Sequence, residues 1–156
     1  MLAMPKPTPE HQKLHGLAGT WFGEERLNPS PWGPGGTAMG RSICRVDVDG
    51  FFVLQDYIEE KDGRVVFRGH GVFGWDGARQ KYAWFWVDSM GFVPRAPSLG
   101  TWEGDTLVFE SEPDGVQRGR YTYRFTGEDS YELTIENSQD GGETWRTLME
   151  GSYQRQ

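Results

Sequence analysis

The sequence predicts an all-β chain: a single antiparallel up-and-down β-barrel of about ten strands with a short N-terminal helix. Three observations carry that prediction. Tight Gly-containing pairs (Asp49-Gly50, Asp62-Gly63, Asp76-Gly77, Gly104-Asp105 and Asp114-Gly115) each separate two runs of alternating aromatic, β-branched and polar residues. Such pairs supply the positive φ that short hairpin turns require. Chained hairpins make a meander, and a long meander loses its exposed edges by closing on itself. Seven Trp, nine Phe and six Tyr are many for 156 residues and suit a barrel lined with rings.

The helix comes first. Thr8 is its cap, Pro9 suits its first turn, and Leu14 with Leu17 gives it an apolar side before Gly19. Strands follow over residues 20–27, 37–48, 51–60, 64–75, 81–89, 98–103, 106–111, 117–125, 130–138 and 144–154. The chain divides into an arm with the short helix, 1–18, and one barrel domain, 19–156. In an up-and-down meander alternate connections fall at the same end. The long ones, 28–36 and 90–97, therefore share one end, a mouth rimmed by Pro-stiffened loops that carry Trp32 and Phe92. The helix arrives at the other end and plugs it.

Hairpin register places side chains, because the strand repeat is two. A two-residue turn at Asp49-Gly50 pairs Val46 with Val53, Cys44 with Gln55 and Ser42 with Tyr57. The opposite face carries Arg41, Arg45 and Asp47, whose burial would cost several kcal/mol each unless paired, so the first face points inward. Carried through Asp62-Gly63, the register sets Tyr57 beside Arg68, Gln55 beside His70 and Val53 beside Val72. The parity of the turn at 76–80 is open. An odd length is chosen because it places Arg68 opposite Asp88, His70 opposite Trp86 and Val72 opposite Trp84. The candidate ligand-binding set is Tyr57, Arg68 and Asp88 toward the mouth, with His70, Trp84 and Trp86 deeper. The same register leaves Phe52, Leu54, Ile58, Phe67, Phe73, Phe85 and Val87 outside. Either that wall packs on a second copy of the chain, making a homodimer, or the parity is inverted.

Charge and motifs narrow the function classes. A net charge of −7 without a Lys/Arg run argues against nucleic acid or an anionic membrane as partner. Cys44 is the only cysteine, which fits a reducing cytosol, and residues 1–9 lack the apolar core of a signal peptide. Gly69-His70-Gly71-Val72-Phe73-Gly74 matches G-x-G-x-x-G, but a strand follows where a phosphate-binding helix is needed. Those glycines instead relieve crowding against aromatic rings. His11 and His15 lack a third ligand, so no metal is expected. No cofactor is expected either. Cys44 has no base beside it in sequence and reads as apolar filler. Ser138-Gln139-Asp140-Gly141-Gly142-Glu143-Thr144-Trp145 resembles the Asp-box of sialidase-like propellers, where that motif is a structural turn.

Leu17-Ala18-Gly19-Thr20-Trp21-Phe22-Gly23 resembles the G-x-W signature of lipocalin-like (calycin) barrels. The resemblance implies a Trp across the barrel floor beside a late arginine, here Arg155 or Arg146. Over most of its length the chain is similar to a bacterial domain-of-unknown-function family with a lipocalin-like barrel. The matching segments are His15 to Trp21, Gly74-Trp75-Asp76, Tyr82, Trp86-Val87-Asp88-Ser89, Asp140-Gly141 and Gly151-Ser152-Tyr153. That family has no established activity. Gly19, Trp21, Gly23 and Pro29 also resemble the opening of the haem-carrying nitrobindins, which ligate iron through a histidine near the C-terminus. This chain has no histidine after His70, so that mode of haem binding lacks its ligand.

The leading expectation is a barrel binding a small, largely apolar or aromatic molecule with one polar end. A barrel enzyme using Asp88 or His70 as base, with Tyr57 or Arg68 steadying negative charge, is the alternative. An interaction module using the apolar outer wall is the third.

Overall fold

A computed structural model describes residues 1–156. The helix α1 (Pro9–Leu14) runs into a 3-10 turn (His15–Leu17), and ten strands follow. They are β1 (Gly19–Leu27), β2 (Gly36–Asp47), β3 (Phe52–Lys61), β4 (Arg64–Asp76), β5 (Lys81–Asp88), β6 (Ser98–Glu103), β7 (Thr106–Glu110), β8 (Arg118–Gly127), β9 (Ser130–Ser138) and β10 (Arg146–Arg155). Each strand pairs antiparallel with its sequence neighbours, and β1 pairs with β10 to close the barrel. This meander is consistent with a lipocalin-like fold. No helix is long and apolar enough to cross a membrane.

The two ends differ as the loop lengths imply. Connections 28–35, 62–63, 89–97, 111–117 and 139–145 lie at the mouth, where Trp32 and Phe92 stand exposed. The floor connections are short, and α1 lies beneath them with Leu14 and Leu17 buried. Tyr82 Oη donates to the Glu10 carbonyl at 3.1 Å, tying helix to barrel. Trp21 is buried, donates from Nε1 to the Leu17 carbonyl at 2.9 Å, and carries the Arg155 guanidinium 4.2 Å above its ring. Arg155 also donates to the carbonyls of Gly16, Ala18 and Glu128. It is thus the floor arginine, whereas Arg146 bonds the Pro29 carbonyl at the mouth.

The β2–β3 register is as predicted: Val46 opposite Val53, Cys44 opposite Gln55, Ser42 opposite Tyr57. The connection is four residues, 48–51, holding a three-residue 3-10 turn (Val48–Gly50) rather than a two-residue hairpin, a change that preserves parity. At Asp62-Gly63 both central residues have positive φ (51° and 76°), as a type I′ turn needs. Two register expectations fail beyond it. Glu60 pairs with Val65 but Glu59 pairs with Phe67, so Val66 is an extra, bulged residue. A bulge moves every later side chain of its strand to the other face. Gly69, Gly71 and Phe73 therefore point inward, and Arg68, His70 and Val72 point outward. The next turn, 77–80, has an even length and not the odd one chosen. The two one-residue errors cancel, so Trp84, Trp86 and Asp88 do face the interior.

Candidate functional site

Alternation along each strand fills the interior unevenly. Toward the floor the inward residues are sealed: Trp21, Val53, Phe73, Leu107, Phe109, Tyr123 and Tyr153 are buried, and their rings pack mostly edge-to-face or tilted at centroid distances below 7 Å. Toward the mouth burial relaxes along the same faces. On β3 the inward series passes from buried Val53 and Gln55 to half-buried Tyr57 and Glu59. On β5 it passes from buried Tyr82 and Trp84 to half-buried Trp86 and Asp88, and on β8 from buried Tyr123 to half-buried Tyr121. The barrel is therefore a packed plug below and a solvent-reachable funnel above.

A seam opens beside that funnel. Eight residue pairs join β4 to β5, but only three join β5 to β6, ending at Trp84 with Ser98. From Phe85 to Asp88 no strand pairs with β5 on that side, so Trp86 and Asp88 lie at a gap in the wall.

Polar groups cross the barrel at mid-height. Trp84 Nε1 donates to Gln55 Oε1 at 3.3 Å, and Gln55 Nε2 donates to Ser42 Oγ at 3.1 Å. Ser42 Oγ lies 3.6 Å from the Cys44 sulfur. Burial pushes the Cys44 thiol up to about 11, so the thiol is protonated and a poor nucleophile.

Above this layer stands Glu25, fully buried on β1. Tyr57 Oη lies 2.8 and 2.7 Å from its two oxygens, and Tyr153 Oη donates to one of them. Glu59 Oε2 is 3.2 Å from the same Tyr57 hydroxyl. Gly40 on β2 makes the room, because a Cβ there would come within 2.8 Å of the Glu25 carboxyl. Burial pushes the Glu25 carboxyl up to about 7 against the opposing pull of the two tyrosines, and the Glu59 charge adds to the rise. One Tyr57 proton cannot serve two carboxylates at once. A protonated Glu25 resolves the conflict by donating to a tyrosine oxygen, which frees the Tyr57 hydroxyl for Glu59.

Asp88 sits on the opposite side. Trp86 Nε1 donates to its Oδ2 at 2.7 Å and the Met90 amide to its Oδ1 at 2.9 Å. Burial first, and then the Asp88 charge, raise the Tyr121 phenol above its ordinary value. Of the six residues singled out from sequence, Tyr57, Trp84, Trp86 and Asp88 share this interior. Arg68 and His70 do not: Arg68 is exposed, and His70 Nδ1 meets Asp56 at 2.8 Å on the outer wall. Asp88 is held by an indole, not by Arg68. Glu25 and Glu59 went unselected, although alternation from Trp21 through Gly23 puts Glu25 on the inner face.

The other motifs have local roles. A Cβ on Gly69 would overlap the Trp86 ring, and one on Gly71 would overlap Gln55 and approach Trp84 Nε1, so these glycines make way for indoles. His11 bonds Thr8, while His15 bonds the Gly50 carbonyl at 2.9 Å; the two do not converge. In the Asp-box segment Asp140 accepts from Ser138 Oγ and from the amide and hydroxyl of Thr144, which lowers its carboxyl to about 2. The segment is a self-braced turn at the mouth.

A surface concavity of about 910 Å³ lies elsewhere, outside β6 and β7 and bordered by Leu99, Thr101, Glu103 and Val108. It is an open groove in which charged and hydroxyl side chains stand beside Leu99 and Val108.

Residues 6–155 match the family described as protein of unknown function (DUF1579). The chain belongs to the DUF1579 family. Among solved structures, this DUF1579 barrel is similar to Rv2717c from M. tuberculosis at 16% identity and a TM-score of 0.71, covering 96% of this chain and 98% of that one. A redesigned beta barrel matches at 12% identity and a TM-score of 0.50, covering 97% and 99% of the two chains. A de novo designed fluorescence-activating beta barrel matches at 16% identity and a TM-score of 0.47, covering 89% and 93%. These likenesses concern the fold alone. No curated protein matches the DUF1579 chain significantly.

Proposed function

We propose that this protein binds a small, largely aromatic molecule in the mouth half of the barrel, against Tyr57, Trp86 and Tyr121. The observation that carries this reading is the change in burial along single strands, from a sealed ring-packed floor to half-exposed rings and acids above. Burying about 250 Å² of apolar ligand surface would yield roughly 6 kcal/mol at 25 cal/mol per Å². Ordering costs remove part of this, so hydrogen bonds must bring affinity to the micromolar range. Glu25, Glu59 and Asp88 favour a ligand whose polar end donates hydrogen bonds, now that Arg68 stands outside.

The test is native mass spectrometry of protein purified from its own host, followed by titration of the released compound into Trp86→Ala and Asp88→Asn variants. A bound aromatic species whose affinity falls about tenfold or more in both variants supports the reading. Protein that carries no adduct, and variants that bind a panel of aromatic amines, phenols and acids no differently from the parent, would refute it.

Acid–base chemistry in the same funnel is the second reading, and Glu25 favours it. A buried carboxyl titrating near neutrality between two phenols suits proton transfer. His70, the base considered from sequence, lies outside and drops out.

A further inference from the structure

The seven tryptophans differ in what their indole N–H groups do. Those of Trp21, Trp84, Trp86 and Trp145 each donate to an oxygen of the chain. Trp32 stands in solvent at the mouth. Trp75 on β4 and Trp102 on β6 are half-buried, and their N–H groups meet no acceptor in the protein. A tryptophan taken out of water ordinarily finds a partner for that group. Both of these rings line one cleft.

The cleft, about 330 Å³, opens at the floor between α1 and the ends of β4, β5 and β6. Trp75, Tyr82 and Trp102 are the last inward rings of those strands, below the packed plug. The Tyr82 ring centroid lies 4.8 Å from that of Trp75 and 6.0 Å from that of Trp102. Its hydroxyl is occupied by the Glu10 carbonyl. Lys13, on the same helix, holds Nζ 5.1 Å from the centre of the Trp102 ring. No carboxylate pairs with that ammonium. The Glu10 carboxyl is engaged at the start of the helix, where hydrogen bonds from its own amide and from Thr8 hold it below its ordinary value. Asp76 on the same rim pairs with Arg79, and Glu103 borders the outer groove. A chain of net charge −7 thus presents here an unpaired cation, two unused N–H donors and three rings.

We propose that this floor cleft is a second ligand site, apart from the funnel, and that it takes a small aromatic carboxylate. The ligand ring lies against Trp75, Tyr82 and Trp102, and its carboxylate accepts from Lys13 Nζ and the free indole N–H groups. Bonds between an ammonium and a carboxylate are stronger than neutral ones, and they form here beside rings that exclude water. The single ammonium balances one negative charge, which favours a carboxylate over a phosphate near −2. The cleft is at the small end of ligand pockets and suits one or two fused rings with a short acidic group. The sealed plug separates it from the funnel, so the two sites bind independently.

The test is titration of the full chain with 2-naphthoate, followed through the indole signals in proton–nitrogen correlation spectra. The cation 2-naphthylmethylammonium carries the same rings with the opposite charge and is titrated in parallel. Trp75→Phe and Trp102→Phe keep a ring and assign the two signals by their loss, and circular dichroism confirms that each variant folds. The carboxylate should shift the Trp75 and Trp102 signals and leave that of Trp86 in place, and the cation should bind at least about tenfold more weakly. Lys13→Ala, at an exposed helical position, should weaken naphthoate binding about tenfold, whereas Trp86→Ala in the funnel should leave it unchanged. No shift of the two signals at about 5 mM naphthoate, equal affinity for the cation, or an affinity unchanged in Lys13→Ala would each overturn the proposal.

Discussion

Trp86 fills the space that a side chain on Gly69 would occupy, since a Cβ there would overlap the six-membered ring of the indole. The pair stands directly beside the cross-strand match of Gly69 with Asp88, the acid that Trp86 holds through Nε1. A glycine on one strand thus sets the orientation of the ring and the acid on the next. Gly69→Ala should cost roughly 1–3 kcal/mol in urea unfolding, as overpacking does. The double variant with Trp86→Ala should recover much of that loss, because the clash disappears with the ring. Additive losses in the double variant would break the proposed link.

Glu25 makes stability depend on pH. Its carboxyl titrates near 4.5 when unfolded and near 7 when folded, so the folded state holds the proton more tightly. Stability is then greatest below the unfolded value and falls as pH rises through the folded one. The predicted loss is a few kcal/mol between pH 5 and pH 8, and Glu25→Gln should flatten that slope. Urea midpoints at pH 5.5 and 8 check it; parallel profiles for the two proteins would refute the assignment.

Arg155 joins the two ends of the chain at the floor. Arg155→Ala should destabilise by about 2–3 kcal/mol through loss of charge-assisted bonds to three backbone carbonyls and the cation–π contact with Trp21. Arg155→Lys should restore only part of it, since an ammonium cannot reproduce the planar fork. Thermal melts would show the order parent, Lys, Ala, and equal melts for Lys and parent would contradict it.

His70→Ala should leave binding in the funnel unchanged and alter stability by at most about 1 kcal/mol, as expected for an exposed pair with Asp56. A loss of ligand affinity comparable to that of Trp86→Ala would place His70 in the site after all.

Much of this architecture is legible along the chain, because strands and turns are local properties. Asp62-Gly63 imposes its type I′ turn wherever it stands, and the charges of Arg41, Arg45 and Asp47 settle which face of β2 meets water. Tertiary structure alone decided the facing of β4. The bulge at Val66 has no local signature, yet one added residue sends Arg68 and His70 outside and brings Gly69 and Gly71 within. Propagating register through successive hairpins carries such an error forward until a compensating one meets it, as the even turn at 77–80 does for Trp86 and Asp88. Glu25 shows the other boundary. Alternation from Trp21 assigns its side of the strand, but only the closed barrel brings Tyr57 and Tyr153 from distant strands onto one carboxyl and removes the water that would keep it ionised.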